Sequence, residues 1–151
     1  MQELWDWRVR HARGPVKMPT IELASFGLWF ASGKFKGDWA FARLEEGLTR
    51  VAFGASNGFV FEQMSALFST YPKESLRCLK LFADRNEDPW FFRSVRKQKG
   101  VWTILEQAIQ SSDPKVLDMA EEIIHLLGSK GYLEYRELFK KLRTGKRGLV
   151  Q

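Results

Sequence analysis

Apolar residues recur at helical spacing along most of the chain, most clearly between Val101 and Gly128. The first half of this stretch places apolar side chains at the period of one buried helix face: Val101, Ile104, Leu105, Ala108 and Ile109. Asp113 then suits an N-cap, and Pro114 suits the first helical position, where no N–H is needed. A second apolar face follows, and Gly128 offers a left-handed stop. The pattern predicts two helices that fold back antiparallel.

The same two-helix pattern occurs twice before this stretch. Pro72 and Pro114 each open the second helix of a pair, and Gly37 marks the corresponding turn of the first pair. The intervals between these positions fit the roughly 33 to 47 residues that are typical of helical-hairpin repeats. We therefore predict an all-α fold of stacked antiparallel hairpins, an α-solenoid of about seven to eight helices. The predicted parts are an N-terminal helical extension (1–18), hairpins (19–53, 57–86 and 94–128), a capping helix (131–143) and a disordered tail (144–151).

Composition narrows the class of protein. An apolar share of 44% and an aromatic share of 14% in 151 residues indicate one well-packed domain. No apolar run approaches the ~20 residues that cross a bilayer, and the first residues lack the pattern of a signal peptide. The single cysteine, Cys78, excludes an internal disulfide and fits a reducing compartment. We expect a cytoplasmic protein with no membrane partner.

The net charge of +6 is unevenly distributed along the chain. One basic cluster precedes the third predicted hairpin, and a second lies at the end of the chain (Lys140, Lys141, Arg143, Lys146 and Arg147). The hairpin between them is acidic. Basic clusters of this kind have two interpretations. Either they bind phosphate groups, or they are solvent-exposed residues on a helix face and in a frayed C-terminal tail.

Three stretches carry a resemblance to known proteins: GLWFASGKF at 27–35, SSDP at 111–114 and LGSKGYLEYREL at 127–138. They are similar to the C-terminal helical regions of large bacterial proteins of uncharacterised or phage-defence type. Over about residues 19–143 the hairpin arrangement resembles HEAT- and armadillo-like helical repeats. Such regions usually serve as scaffolds beside an effector domain. The resemblance implies that this chain is the C-terminal part of a larger protein, and it carries over no catalytic position.

Few residues are candidates for catalysis. Glu121 and His125 stand at i and i+4, where they form either an acid–base pair or a surface contact. Cys78 follows Arg77 but lies near an apolar row, so it is either a reactive thiol or a buried, inert one. Two histidines and one cysteine supply few ligands for a metal. We predict no catalytic residue, no metal and no cofactor.

Two groups of aromatic residues are candidates for binding. Trp5 and Trp7 need cover from the first repeat or from a partner. Trp90 and Phe91 precede a cluster of basic residues: Arg93, Arg96, Lys97 and Lys99. Either the two aromatic rings stack on nucleic-acid bases while the basic side chains bind phosphates, or the rings belong to the core and the basic side chains are solvated. We favour a non-catalytic scaffold that binds a protein partner or another domain of a parent chain. The alternative is a nucleic-acid-binding helical-repeat protein, with a chemistry like that of DNA glycosylases.

Overall fold

A computed structural model describes residues 3, 30, 32–50, 58–85 and 95–150, and every regular element within these residues is helical. This confirms the all-α prediction for the described part of the chain. The first helix of the hairpin predicted over 19–53 and most of the extension over 1–18 lie outside the described residues. Within the described residues, six α-helices have defined bounds, together with a 3-10 turn at Leu133–Tyr135: α1 (Gly37–Arg50), α2 (Gly58–Leu67), α3 (Pro72–Arg85), α4 (Val95–Ile109), α5 (Pro114–Ser129) and α6 (Arg136–Val150).

Helices α1, α3 and α5 pack side by side and run in the same direction. At the starts of α3 and α5, Lys73 Nζ lies 3.5 Å from Asp113 Oδ2. At the other end of the same two helices, Lys130 Nζ donates to the Asp84 carbonyl at 3.2 Å. Two further contacts connect α3 with α1 in the same order: from Arg77 to Glu45 and from Arg85 to the Thr49 carbonyl. The three helices form one parallel layer, which we call layer A.

Helices α2, α4 and α6 form a second parallel layer, which we call layer B. Near the start of α2, Phe61 lies against Gly100 of α4, and further along Gln107 Nε2 donates to the Ser65 carbonyl at 3.2 Å. Two contacts join α4 to the 3-10 turn and to α6 in the same order: Gln98 with Glu134 of the turn (3.4 Å) and Glu106 with Lys141 of α6 (3.7 Å). Because α2 packs mainly on α4 and α3 packs mainly on α5, the α2–α3 pair lies on the α4–α5 pair in the same orientation.

The apolar faces predicted from the sequence meet between the two layers. Short turns at 68–71 and 110–113 reverse the chain from layer B to layer A. The rings of Phe61 and Phe82 meet edge to face at 5.0 Å, and the whole predicted face of α4 is buried. Helices α1, α3 and α5 begin at Gly37, Pro72 and Pro114, so these three positions are equivalent in the layer, as their spacing predicted.

The two ends of α5 test the predicted caps. Asp113 is the N-cap, because its side chain accepts a hydrogen bond from the Lys115 amide at 2.9 Å. The prediction that Gly128 forms a left-handed stop is wrong, since the helix continues to Ser129. Gly131 adopts the positive φ of 92°, and the Tyr132 amide bonds back to the Leu127 carbonyl at 3.0 Å. This is a Schellman motif, in which the buried Tyr132 side chain supplies the usual apolar residue after the glycine.

The predicted capping helix at 131–143 has different bounds in the structure. The chain forms the 3-10 turn first, and α6 then runs from Arg136 to Val150. The stretch 144–150, predicted as part of a disordered tail, is therefore helical. Lysine and arginine are good helix formers and are favourable near a helix C-terminus, which offsets the cost of Gly145 and Gly148.

Candidate functional site

Most of the residues predicted to bind a partner lie outside the described part of the chain. This applies to Trp5, Trp7, Trp90, Phe91 and Arg93. Arg96 and Lys97 belong to the first turns of α4, but their side chains are also outside the description. Lys99 is described and is exposed on α4. The stacking surface predicted beside the basic cluster therefore stays a prediction.

The structure brings the start of α4 next to the start of α6. Gln98 Nε2 lies 3.4 Å from Glu134 Oε1, and the Trp102 ring packs on that of Tyr135 with centroids 6.1 Å apart. Arg96, Lys97 and Lys99 of the first basic cluster and the whole of the second cluster therefore belong to neighbouring helices of layer B. The sequence pattern did not predict this, because the apolar period does not say which helices are neighbours.

Helix α6 carries most of the charge on this side. It contains six basic residues against one acidic residue, Glu137. Leu138 and Leu142 face the core, whereas the described residues on the other side of the helix are exposed: Arg136, Glu137, Lys140, Lys141, Arg143 and Thr144. Lys140 lies 3.3 Å from Glu137, and Lys141 lies 3.7 Å from Glu106. Arg136 and Lys99 have no carboxylate partner among the described residues.

In layer A, by contrast, the cations of α3 are matched by acids of its neighbours. Lys73, Arg77 and Lys80 all lie within 4 Å of carboxylates on α1 or α5, as the pairs Lys73–Asp113 (3.5 Å), Arg77–Glu45 (3.7 Å) and Lys80–Glu122 (3.0 Å). The side-chain hydrogen bond to Glu122 raises the pKa of Lys80, and the Lys115 amide lowers the pKa of Asp113. This surface is close to electrically balanced, and its ion pairs connect neighbouring helices.

The candidate acid–base pair is a surface contact in the structure. His125 Nε2 lies 3.8 Å from Glu121 Oε1, and the His125 side chain is 63% exposed. Its ring meets that of Phe139 edge to face at 4.9 Å, while the Arg143 guanidinium lies 5.4 Å from the centre of the Phe139 ring. Phe139 is thus held between two basic side chains and joins α5 to α6.

The polar groups inside the core are few among the described residues. Cys78 is fully buried, and burial raises the pKa of its thiol. Ser75 and Tyr135 are also buried, and their hydroxyls have no hydrogen-bond partner among the described residues. Burial raises the pKa of Tyr135 as well. In the same part of the chain, no group of three or more His, Cys, Asp or Glu side chains is close enough to hold a metal ion.

Two large apolar side chains are exposed, and sequence reasoning did not single them out. Phe59 and Leu133 are each 50% exposed. Phe59 is near the start of α2 and Leu133 just precedes α6, so both lie at the end of layer B where its helices begin. The helical period could have identified Phe59 as exposed. Val60, Phe61 and Met64 already form the buried face of α2, and Phe59 is an additional apolar residue next to that face.

Comparisons with protein-family models, curated proteins and solved structures find no match to this chain. None of the described helices is long and apolar enough to cross a membrane.

Proposed function

We propose that this chain is a non-catalytic, HEAT-like helical-repeat scaffold, an α-solenoid that binds a protein partner. The observation that carries the proposal is the parallel packing of alternate helices in two layers, with successive hairpins in the same orientation. Repeats that contact only their neighbours present extended surfaces at the sides and ends of the stack. The inter-helix ion pairs of layer A support a fixed order of helices within such a stack.

The partner is expected at the start of layer B. Protein interfaces depend on a few apolar or aromatic anchors that become fully buried on binding. Phe59 and Leu133 are the large apolar side chains that the described surface exposes, and both lie at this end of the stack.

Site-specific photo-crosslinking in cells of the source organism tests this site. The amino acid p-benzoylphenylalanine is introduced at position 59, 133 or 66. Ala66 is an exposed residue on the same helix as Phe59 and serves as the control. We expect one defined protein adduct from positions 59 and 133 and none from position 66.

The crosslinked protein is then purified, and its binding is measured by calorimetry. Phe59→Ser and Leu133→Ser should each weaken Kd about tenfold or more, as truncation of an interface anchor does. Ala66→Ser should leave Kd unchanged. Equal adducts from all three positions, or a Kd that both anchor variants leave intact, would contradict the proposal.

A further inference from the structure

The charge of α6 is dominated by one sign, unlike the balanced surface of layer A. Its basic residues Arg136, Lys140 and Arg143 are exposed and spaced i, i+4 and i+7, which places them along one side of the helix. At a rise of about 1.5 Å per residue, this stripe is about 10 Å long.

We propose that this stripe binds the phosphodiester backbone of nucleic acid. The phosphates of one strand recur about every 3.4 Å along a duplex axis, so a stripe of this length spans about three of them. Lysine and arginine side chains that neutralise phosphates supply a binding energy that does not depend on base sequence.

The exposed side of α6 favours nucleic acid over an acidic protein. Protein interfaces need apolar anchors, but the exposed described positions of this helix are all polar or charged. Phe139 is the nearest aromatic residue, and its ring is already in contact with His125 and Arg143. The stripe therefore contacts backbone rather than stacking on bases. Interfaces with nucleic acid are typically polar and strongly basic.

The acidic residues on this side define which cations carry the binding. Glu137 faces Lys140, and Glu106 faces Lys141. Both pairs are well exposed, and exposed ion pairs of this kind contribute little, so a phosphate can replace the carboxylate at Lys140. Arg136, Lys140 and Arg143 are the described cations of the stripe.

Fluorescence anisotropy with a labelled DNA duplex of about 20 base pairs tests the proposal, over about 50 to 200 mM NaCl. The test variant is Arg136→Gln, Lys140→Gln and Arg143→Gln together. The control is Lys34→Gln, Lys36→Gln and Lys115→Gln, which removes the same charge from exposed lysines outside α4 and α6. Far-UV circular dichroism confirms that each variant is folded.

We expect the unmodified chain to bind with log K falling linearly with log salt. The test variant should bind about tenfold or more weakly, and its salt slope should be smaller by about 2 to 3, since three phosphate contacts are lost. The control should keep the slope of the unmodified chain. A duplex of different sequence should bind equally well.

Three results would overturn the proposal. One is the absence of binding at micromolar protein in low salt, and another is an equal loss in the test and control variants. The third is tighter binding to poly-L-glutamate than to DNA at equal charge, which would assign the stripe to an acidic protein. This inference goes beyond the proposed partner site and uses other residues, so the crosslinking at positions 59 and 133 is decided independently.

Discussion

The closest approach between α2 and α4 leads to a quantitative prediction at Gly100. A Cβ atom built on Gly100 would lie 2.7 Å from Cβ of Phe61 and 3.2 Å from its backbone carbonyl carbon. Carbon atoms in contact normally lie about 3.5 to 4.0 Å apart, so the two helices would have to separate by about 1 Å. Since the obstructing atoms belong to the backbone or are attached to it directly, a change of rotamer cannot relieve the overlap.

Gly100→Ala therefore combines two opposing effects. Alanine in a helix interior is about 1 kcal/mol more favourable than glycine, whereas overpacking a well-packed contact costs about 1 to 3 kcal/mol. We expect a net loss of up to about 2 kcal/mol in the free energy of unfolding. Gly128→Ala is the matched control, because a Cβ at Gly128 has no atom within 4 Å. There the helix propensity acts alone, and we expect a gain of about 0.5 to 1 kcal/mol.

Urea unfolding of the purified chain, followed by circular dichroism and tryptophan fluorescence, measures both changes. The free energies of unfolding of the two variants should differ by about 0.5 to 3 kcal/mol, with Gly128→Ala more stable than Gly100→Ala. The m-values should be unchanged. If Gly100→Ala were as stable as Gly128→Ala, the close contact between α2 and α4 would be wrong, and with it the arrangement of layer B.

Three further predictions concern single residues. Gly131→Ala should cost about 1 to 2 kcal/mol in urea unfolding, because alanine is strained at positive φ; no loss would contradict the Schellman motif. Asp113→Ala should lower the urea midpoint, and Asp113→Asn should lower it less, because asparagine keeps the cap and loses only the charge. Folding lowers the pKa of Asp113, so its negative charge stabilises the fold at any pH above the unfolded-state pKa, which is near 3.9. This stabilisation is lost as the pH falls through the pKa of Asp113 in the folded chain. The midpoint difference between the unmodified chain and Asp113→Asn should therefore shrink in acid, and a constant difference would refute the charge effect. Cys78 should react with a thiol reagent only as the chain unfolds, since burial raises its pKa; rapid labelling of the native chain would contradict its position in the core.

The sequence predicts α2 to α5 well because local chemistry determines them. Pro72 and Pro114 fix the first turns of α3 and α5, and the apolar period fixes the faces of the helices that meet in the core. The end of α5 was harder to predict, because either Gly128 or Gly131 could end the helix in a left-handed conformation. Burial of the Tyr132 side chain favours Gly131, and this burial depends on tertiary packing. The extension of α6 was missed because a Gly- and Lys-rich composition is typical of tails as well as of basic helices.

The candidate surfaces depend on information that the sequence pattern does not contain. Periodicity shows which side of α4 is buried, but not that α2 and α6 are its neighbours. A glycine inside a helix usually weakens it, whereas Gly100 allows the close contact with Phe61. The contact of Gln98 with Glu134, just before α6, also follows from packing, because the two residues are far apart in the sequence.

The different charges of the two layers follow from what surrounds each helix. Helix α3 lies between α1 and α5, so a cation on it is within reach of both neighbours, and carboxylates at 3.0 to 3.7 Å satisfy Lys73, Arg77 and Lys80. The exposed side of α6 has no neighbouring helix among the described residues. A mixture of acidic and basic residues on it would be enough to keep the protein soluble. A helix with six basic residues and one acidic residue goes further than solubility requires. The exposed side of α6 therefore has an excess of positive charge and, among its described residues, no apolar anchor. Binding of a polyanion explains this excess, whereas a role as the capping helix alone does not.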